Sequence, residues 1–240
     1  SNNVSLRISS TNNLTNVTIR NSKANAIELL SFASVSLSNV NISNTNAPFY
    51  DLLLSNPGNY RFIDIISINN YSASNSFLQI TKTNLGQITF LDLVNGSGTN
   101  FSNDIQISYN RAFITESQPG LNRSANITLY NLPTNFTNPA IFRNSVQCSP
   151  VICTNYTSLN AGTVKFKVTI AGDYSIQDVY VNSSNYTNYW CSGSDINKDS
   201  RVDIDDMYTL ATNWSLTCNA GNDYCGGADI NNDSITDSED

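Results

Sequence analysis

Asn16-Val17-Thr18-Ile19-Arg20-Asn21 returns 23 residues later as Asn39-Val40-Asn41-Ile42-Ser43-Asn44. A second echo sets Phe62-Ile63-Asp64-Ile65-Ile66-Ser67 against Phe90-Leu91-Asp92-Leu93-Val94-Asn95, 28 residues on. Further short apolar runs lie around these echoes: Ile27 to Leu30, Tyr50 to Leu54 and Phe77 to Ile80. Each unit then holds two or three short strands joined by Asn, Ser and Gly turns. A period in the low to middle twenties is the length of one β-solenoid coil. Val, Ile and Leu would face inward, and Asn at the corners tolerates the left-handed backbone region. A β-sandwich of meandering strands is the competing reading.

The expected chain is mainly β. Residues 1–103 are read as a parallel β-helix (β-solenoid). Residues 104–179 change character. Asp104 to Tyr109, Ala125 to Tyr130 and Thr163 to Ile170 alternate apolar and polar residues. Such alternation predicts antiparallel strands with one wet face. Pro119-Gly120 marks a turn, and Pro133, Pro139 and Pro150 interrupt the connections. A small β-sandwich is expected there. Residues 180–190, rich in Tyr, Asn and Ser, read as a linker. Residues 191–240 read as a small α-containing calcium-loop module.

Two acidic loops of twelve residues carry that last reading. One runs Asp195, Asn197, Asp199, Arg201, Asp203, Asp206; the other runs Asp229, Asn231, Asp233, Ile235, Asp237, Asp240. Side-chain oxygens recur at loop positions 1, 3, 5, 9 and 12, and position 7 can offer a carbonyl. Ca²⁺ takes about six to eight oxygen ligands, and this spacing wraps one loop around one ion. Two copies in identical phase, 34 residues apart, predict two calcium sites. The bland alternative, an acidic solvated tail, carries no repeat phase.

The chain has 19 acids and 12 bases, with a pI near 4.4. Ten of the acids sit in the loops: Asp195, Asp199, Asp203, Asp205, Asp206, Asp229, Asp233, Asp237, Glu239 and Asp240. Lys198 and Arg201 lie there too, so the remainder is close to neutral. The low pI therefore reports the loops rather than an acidic surface. Ion binding should contribute to the folding of so small a module.

At these residues the chain resembles a type I dockerin, over roughly residues 191–240. That family carries a duplicated calcium loop with Asp at position 12, each copy followed by a helix. Met207, Leu210, Ala211 and Trp214 recur at i, i+3, i+4 and i+7, the stripe of a short amphipathic helix. The resemblance implies an assembly module docking onto a cohesin-like receptor domain outside the cell. Position 6, usually Gly because the turn needs positive φ, is Ser200 and Ser234 here. Positions 10 and 11 are Ile204 and Asp205 in one copy, Ser238 and Glu239 in the other, which argues against a symmetric dual binding mode. No second helix follows Asp240, so a fragment of a longer protein is expected. The first hundred residues look like the right-handed parallel β-helix family of secreted carbohydrate-active and surface proteins.

Fifteen Asn-x-Ser/Thr triplets lack Pro at x: Asn3, Asn13, Asn16, Asn41, Asn70, Asn95, Asn100, Asn122, Asn126, Asn135, Asn155, Asn182, Asn185, Asn213 and Asn232. With 38 Asn, composition alone would give about eight. The excess points to N-linked glycans on a subset, although an Asn-rich solenoid also makes such triplets for free. Asn232 lies inside a calcium loop and is a poor acceptor. Glycans at Asn182 and Asn185 would stiffen the linker.

Of five Cys, Cys148 and Cys153 bracket Ser149-Pro150 and predict a local disulfide, and Cys218 and Cys225 predict another. Cys191 has no assigned partner. With no His and no zinc-like spacing, a zinc cluster is excluded. Oxidised Cys indicates an extracellular or cell-surface setting. No signal peptide is recognised, no apolar run approaches membrane-spanning length, and basic residues do not cluster as for nucleic acid.

The absence of His also excludes Ser-His and Cys-His catalysis. Polysaccharide hydrolysis needs only two carboxylates. Asp64 and Asp92 occupy equivalent places in the second echo, and stacked coils would set them about 4.8 Å apart. Asp51 lies nearby, with Arg61 and Lys82 as the neighbouring cations. The same Asp residues could instead accept backbone N–H groups at corners. Trp190 and Trp214 both lie in or beside the calcium-loop segment, leaving no Trp for a sugar cleft.

Three functions follow as expectations. One is a structural extracellular glycoprotein. Strand-like Ser1 to Ser9 would open a solenoid end that stacks on the next subunit, head to tail, into a filament or surface array. The second is a polysaccharide-active β-helix enzyme anchored by the dockerin-like segment. The third is a non-catalytic adhesin binding carbohydrate or a receptor.

Overall fold

The structure, a computed structural model, describes residues 6–30, 32–55, 57–179, 196, 204–229 and 233–237. Two compact units divide the chain, residues 1–179 and 180–240.

The first unit begins with parallel strands. These are β1 (Leu6–Ile8), β2 (Asn12–Thr15), β3 (Thr18–Arg20), β4 (Ile27–Leu29), β5 (Ser34–Ser38), β6 (Asn41–Ser43), β7 (Leu52–Leu54), β8 (Gly58–Ile63) and β9 (Tyr71–Lys82). They stack in three parallel ladders: β1–β4–β7–β9, β2–β5–β8–β9 and β3–β6. The long β9 closes the first two, pairing Tyr71–Ala73 with β7 and Ser76–Thr81 with β8. Side chains alternate as a pleat requires. Leu14, Leu37, Phe62 and Ile80 meet as successive register partners facing the core, with the last three buried. Ile19 faces Ile42 in the β3–β6 ladder.

The corners between strands depend on asparagine. Asn16, Asn21, Asn39, Asn44 and Asp64 all have φ between 50° and 59°. Asn and Asp tolerate this region better than other non-Gly residues, because a short polar side chain can bond locally. Three of these corners stack. The Asn16 N–H donates to Ser38 O, the Asn39 N–H to Ile63 O, and the Asp64 N–H to Thr81 O. Asn39 Nδ2 also donates to Asn16 Oδ1 at 3.0 Å.

Beyond β9 the pairing reverses. The remaining strands of this unit are β10 (Gly86–Phe90), β11 (Val94–Gly98), β12 (Ile105–Ser108), β13 (Arg111–Ile114), β14 (Ala125–Leu129), β15 (Pro139–Arg143), β16 (Val146–Gln147), β17 (Cys153–Asn155), β18 (Val164–Val168) and β19 (Gly172–Asp178). β9, β10, β14, β18 and β17 continue the large sheet antiparallel. A second antiparallel sheet runs β12–β13–β19–β15–β16. The two form layers, with Phe166 of one sheet against Tyr174 of the other, ring centroids 6.2 Å apart.

This reversal corrects the reading of the second echo. Phe62 pairs with Ile80, and Phe90 pairs with Ala125, so the echoed segments do not stack. The chain turns back at once after β9: Leu85 N–H donates to Lys82 O, with Asn84 at φ 62°. So short a connection permits only antiparallel pairing; a parallel step needs a long crossover. A side chain at Gly86 would put its Cβ 2.5 Å from Thr128 O, so only glycine fits that close approach.

One hydrophobic core runs from Ile8 to Ile176, so residue 103 does not divide two cores. Phe101, in the short helix α1 (Phe101–Asp104), is its keystone. Its ring meets Phe62 at 5.3 Å and Tyr71 at 5.0 Å, both edge-on. Asn100 caps α1, its Oδ1 accepting from Asn103 N at 2.9 Å.

The second unit has helix α2 (Ile204–Thr212) and, among its described residues, a small core of Ile196, Cys218, Cys225 and Ala228 with Leu210 against it. The apolar stripe read on this helix is mostly exposed. Met207 is 67% exposed and Trp214 49%, and Ala211 is exposed as well. Only Leu210 reaches the core. The linker read at residues 180–190 lies outside the described residues.

Candidate functional sites

The described part of the second acidic loop closes on Asp229. This carboxylate is 4% exposed. Its Oδ1 accepts from Asp233 N at 3.0 Å and its Oδ2 from Ser234 N at 3.2 Å, which folds loop positions 5 and 6 back over position 1. Asp233 Oδ1 accepts from Ile235 N at 2.9 Å. Ser234, at position 6, has φ +78°, the conformation for which glycine is the usual choice. Ile235 then bridges antiparallel to Thr217, flanked by bonds from Cys218 N to Ser234 O and from Thr236 N to Leu216 O. In the first loop, Asp206 Oδ1 accepts from Ile196 N at 2.7 Å, closing position 12 on position 2.

Asp195, Asn197, Asp199, Arg201, Asp203, Asn231 and Asp240 lie outside the described residues. Among the described residues, no three Asp, Glu, Cys or His side chains gather into a metal-binding cluster. Hard carboxylate oxygens and a position-6 turn at positive φ suit a calcium ion. Replacing Ser234 by Gly should relieve the backbone penalty, stabilising the second unit by about 1 kcal/mol. Chemical denaturation followed by Trp fluorescence checks this.

Both expected disulfides are present. Cys148 and Cys153 have Cα atoms 5.9 Å apart, and Cys218 and Cys225 5.2 Å. The second supplies two of the four residues in the small core among the described residues of its unit. Among the described residues no helix is long and apolar enough to cross a membrane.

The carboxylates weighed for catalysis each accept from the backbone of a neighbouring segment. Asp64 Oδ1 accepts from Thr83 N at 2.8 Å and Oδ2 from Thr83 Oγ1 at 2.6 Å, with Lys82 Nζ 3.9 Å away. Asp92 Oδ2 accepts from Ser124 N at 3.3 Å, on the far side of the β9–β10 hairpin. Buried Asp51 accepts from Asn69 N at 2.7 Å. Burial pushes the Asp64 carboxyl up, but the two Thr83 bonds and the Lys82 charge outweigh it and hold it below 3.8. Burial raises Asp104 above its ordinary value, only partly offset by the bond from Tyr71 Oη at 3.1 Å.

Opposite pH signs follow. Asp64 stabilises the fold above pH 3.8 and loses that contribution as pH falls through its lower folded value. Asp104 favours the folded state while protonated and loses that contribution as pH rises through its raised value. The advantage of the wild type over Asp64→Asn should therefore shrink in acid. Asp104→Asn should gain on the wild type from acid to neutrality. Urea midpoints between about pH 3 and 7 check both.

A groove of about 440 Å³ lies on the outer face of the large sheet. Its floor is a register row across five strands. Asn13 faces Ser36, Ser36 faces Arg61, Arg61 faces Gln79, and Gln79 faces Thr89. Phe77, 43% exposed, stands in the next row. Thr89 Oγ1 accepts from Gln79 Nε2 at 3.1 Å and Gln87 Nε2 at 3.0 Å, leaving its hydroxyl proton to donate elsewhere. Arg61 has no carboxylate partner among the described residues. The sequence reading missed this site, although outward alternation along β8 and β9 signals its residues.

The structure sorts the glycosylation triplets by exposure. Asn13, Asn16, Asn95, Asn122, Asn135 and Asn155 are exposed. Asn41, Asn70, Asn100, Asn126 and Asn213 are partly buried. Among these, the Asn70 amide donates to Phe49 O, Asn213 donates to Thr209 O, and Asn126 Oδ1 is buried in mid-sheet without a partner. Asn3, Asn182, Asn185 and Asn232 lie outside the described residues. No family model, no curated protein and no solved structure matches the chain.

Proposed function

We propose that the chain is an extracellular structural glycoprotein, a subunit of a cell-surface assembly, with a calcium-stabilised assembly module of the dockerin kind at its C-terminal end. The observation that carries this reading is the apolar face of α2. Ile204, Met207 and Tyr208 fall at i, i+3 and i+4 and are each about 70% exposed. Trp214 and Leu216, just after the helix, are about half exposed as well. A contiguous face of this kind marks an interaction site.

Calcium is supported by the folded geometry around Asp229 and by the small core among the described residues of the second unit. Units with so little buried apolar surface rely on metals or disulfides. When bound, the ion would be held by the acidic loop positions and would supply cross-linking within the loop. N-glycosylation is supported by six exposed acceptor triplets. The three parallel ladders and their stacked asparagine corners support coils of a parallel β-solenoid, followed by a two-layer β region. The occupant of the α2 face is a second copy of the chain or a cohesin-like receptor domain.

Sedimentation velocity in millimolar calcium, and again in chelator, tests the assembly reading. Association that is lost in chelator and in Met207→Asp is expected. A monomer under both conditions contradicts self-assembly.

A further inference from the structure

We infer that the groove across β2, β5, β8, β9 and β10 is the cradle for a glycan that the chain itself carries on Asn13. This rests on the reading of the chain as N-glycosylated.

Asn13-Leu14-Thr15 lies on β2, so the period of two puts Asn13 and Thr15 on one face and Leu14 on the other. Both outward residues are exposed, and Asn13 lines the groove. The Asn13 amide has no hydrogen-bond partner among the described residues. Asn70 and Asn213, by contrast, donate from their amide nitrogens to Phe49 O and Thr209 O. The Asn13 nitrogen therefore offers an attachment point at one end of a ready-made channel.

The channel suits what would be attached. The row from Asn13 through Ser36 and Arg61 to Gln79 spans three strand steps, roughly 14 Å. That is long enough for a short oligosaccharide to lie across the strands. Sugars present hydroxyls on their edges and C–H groups on their faces. The row supplies neutral hydrogen-bonding groups from Ser36, Gln79 and Thr89, plus the Arg61 guanidinium with its five donors. Phe77 offers an exposed ring on which a C–H face can lie. A tethered glycan needs little intrinsic affinity, because attachment keeps its local concentration high.

The test uses the full-length glycosylated chain and an amidase that cleaves the Asn–glycan bond. Peptide mass spectrometry follows release at Asn13 and, in the same molecule, at the exposed loop residue Asn135. On the native protein, release at Asn13 should be roughly ten-fold slower than at Asn135, with equal rates after denaturation. Phe77→Ala and, separately, Arg61→Ala should bring Asn13 up to the Asn135 rate while leaving Asn135 unchanged. Asn135 thus reports on any general loosening of the fold. Equal native rates at the two sites in the wild type would overturn the cradle. Asn13 bare while Asn135 carries sugar would also overturn it, with the glycoprotein reading intact. No sugar at any triplet would overturn both.

Discussion

Removing calcium is expected to unfold residues 204–237 while residues 6–179 stay folded. The second unit has few buried apolar side chains among its described residues, so bound ions would be a large part of its stability. Each site at a thousand times its Kd contributes about 4 kcal/mol, as much as a small core. Asp229→Ala should act in the same direction. It deletes the buried acceptor of the Asp233 and Ser234 N–H groups, at a cost of about 1–2 kcal/mol. The readout is clean, because both Trp residues, Trp190 and Trp214, lie in residues 180–240. Trp fluorescence should change on chelation, while far-UV circular dichroism, dominated by the β strands of the first unit, changes little. Trp fluorescence unmoved by chelator would count against ion-dependent folding.

Phe101→Ala should destabilise the first unit by about 3–5 kcal/mol. The ring is fully buried and contacts Phe62 at the end of the second ladder and Tyr71 at the start of β9. Its loss leaves a cavity where the parallel ladders meet the strand that hands over to the antiparallel sheets. Because one core spans Ile8 to Ile176, urea unfolding of the first unit should remain a single transition, shifted to lower urea, when followed by far-UV circular dichroism. A variant that melts the parallel ladders and leaves the antiparallel sheets standing would show two cores.

Much of this fold was legible in the sequence where the physics is local. The corner asparagines could be read because left-handed backbone favours Asn over other non-Gly residues, and Asn16, Asn39 and Asn44 adopt it. The Asn16 and Asn39 motifs were read as repeats, and Thr18–Arg20 pairs with Asn41–Ser43 in that register. The likeness of residues 62–67 to 90–95 misled, because similar apolar runs arise wherever a strand meets a turn. A tight hairpin at Asn84 decides pairing, and the likeness does not. The predicted proximity of Asp64 and Asp92 failed with it.

The stripe at Met207, Leu210, Ala211 and Trp214 gave the helix and left open what covers it. Helical periodicity reports an apolar face, whether that face meets a core or a partner. Most of the groove was hidden for a different reason. Asn13, Arg61 and Gln79 are far apart in the chain, and only the registers of successive strands bring them into one row.

The most direct test is calorimetric titration of calcium into the calcium-free chain. Two ions should bind per chain, falling to one in Asp229→Ala, with binding coupled to recovery of the Trp signal. No heat and no ion bound at millimolar calcium would contradict the account at its base.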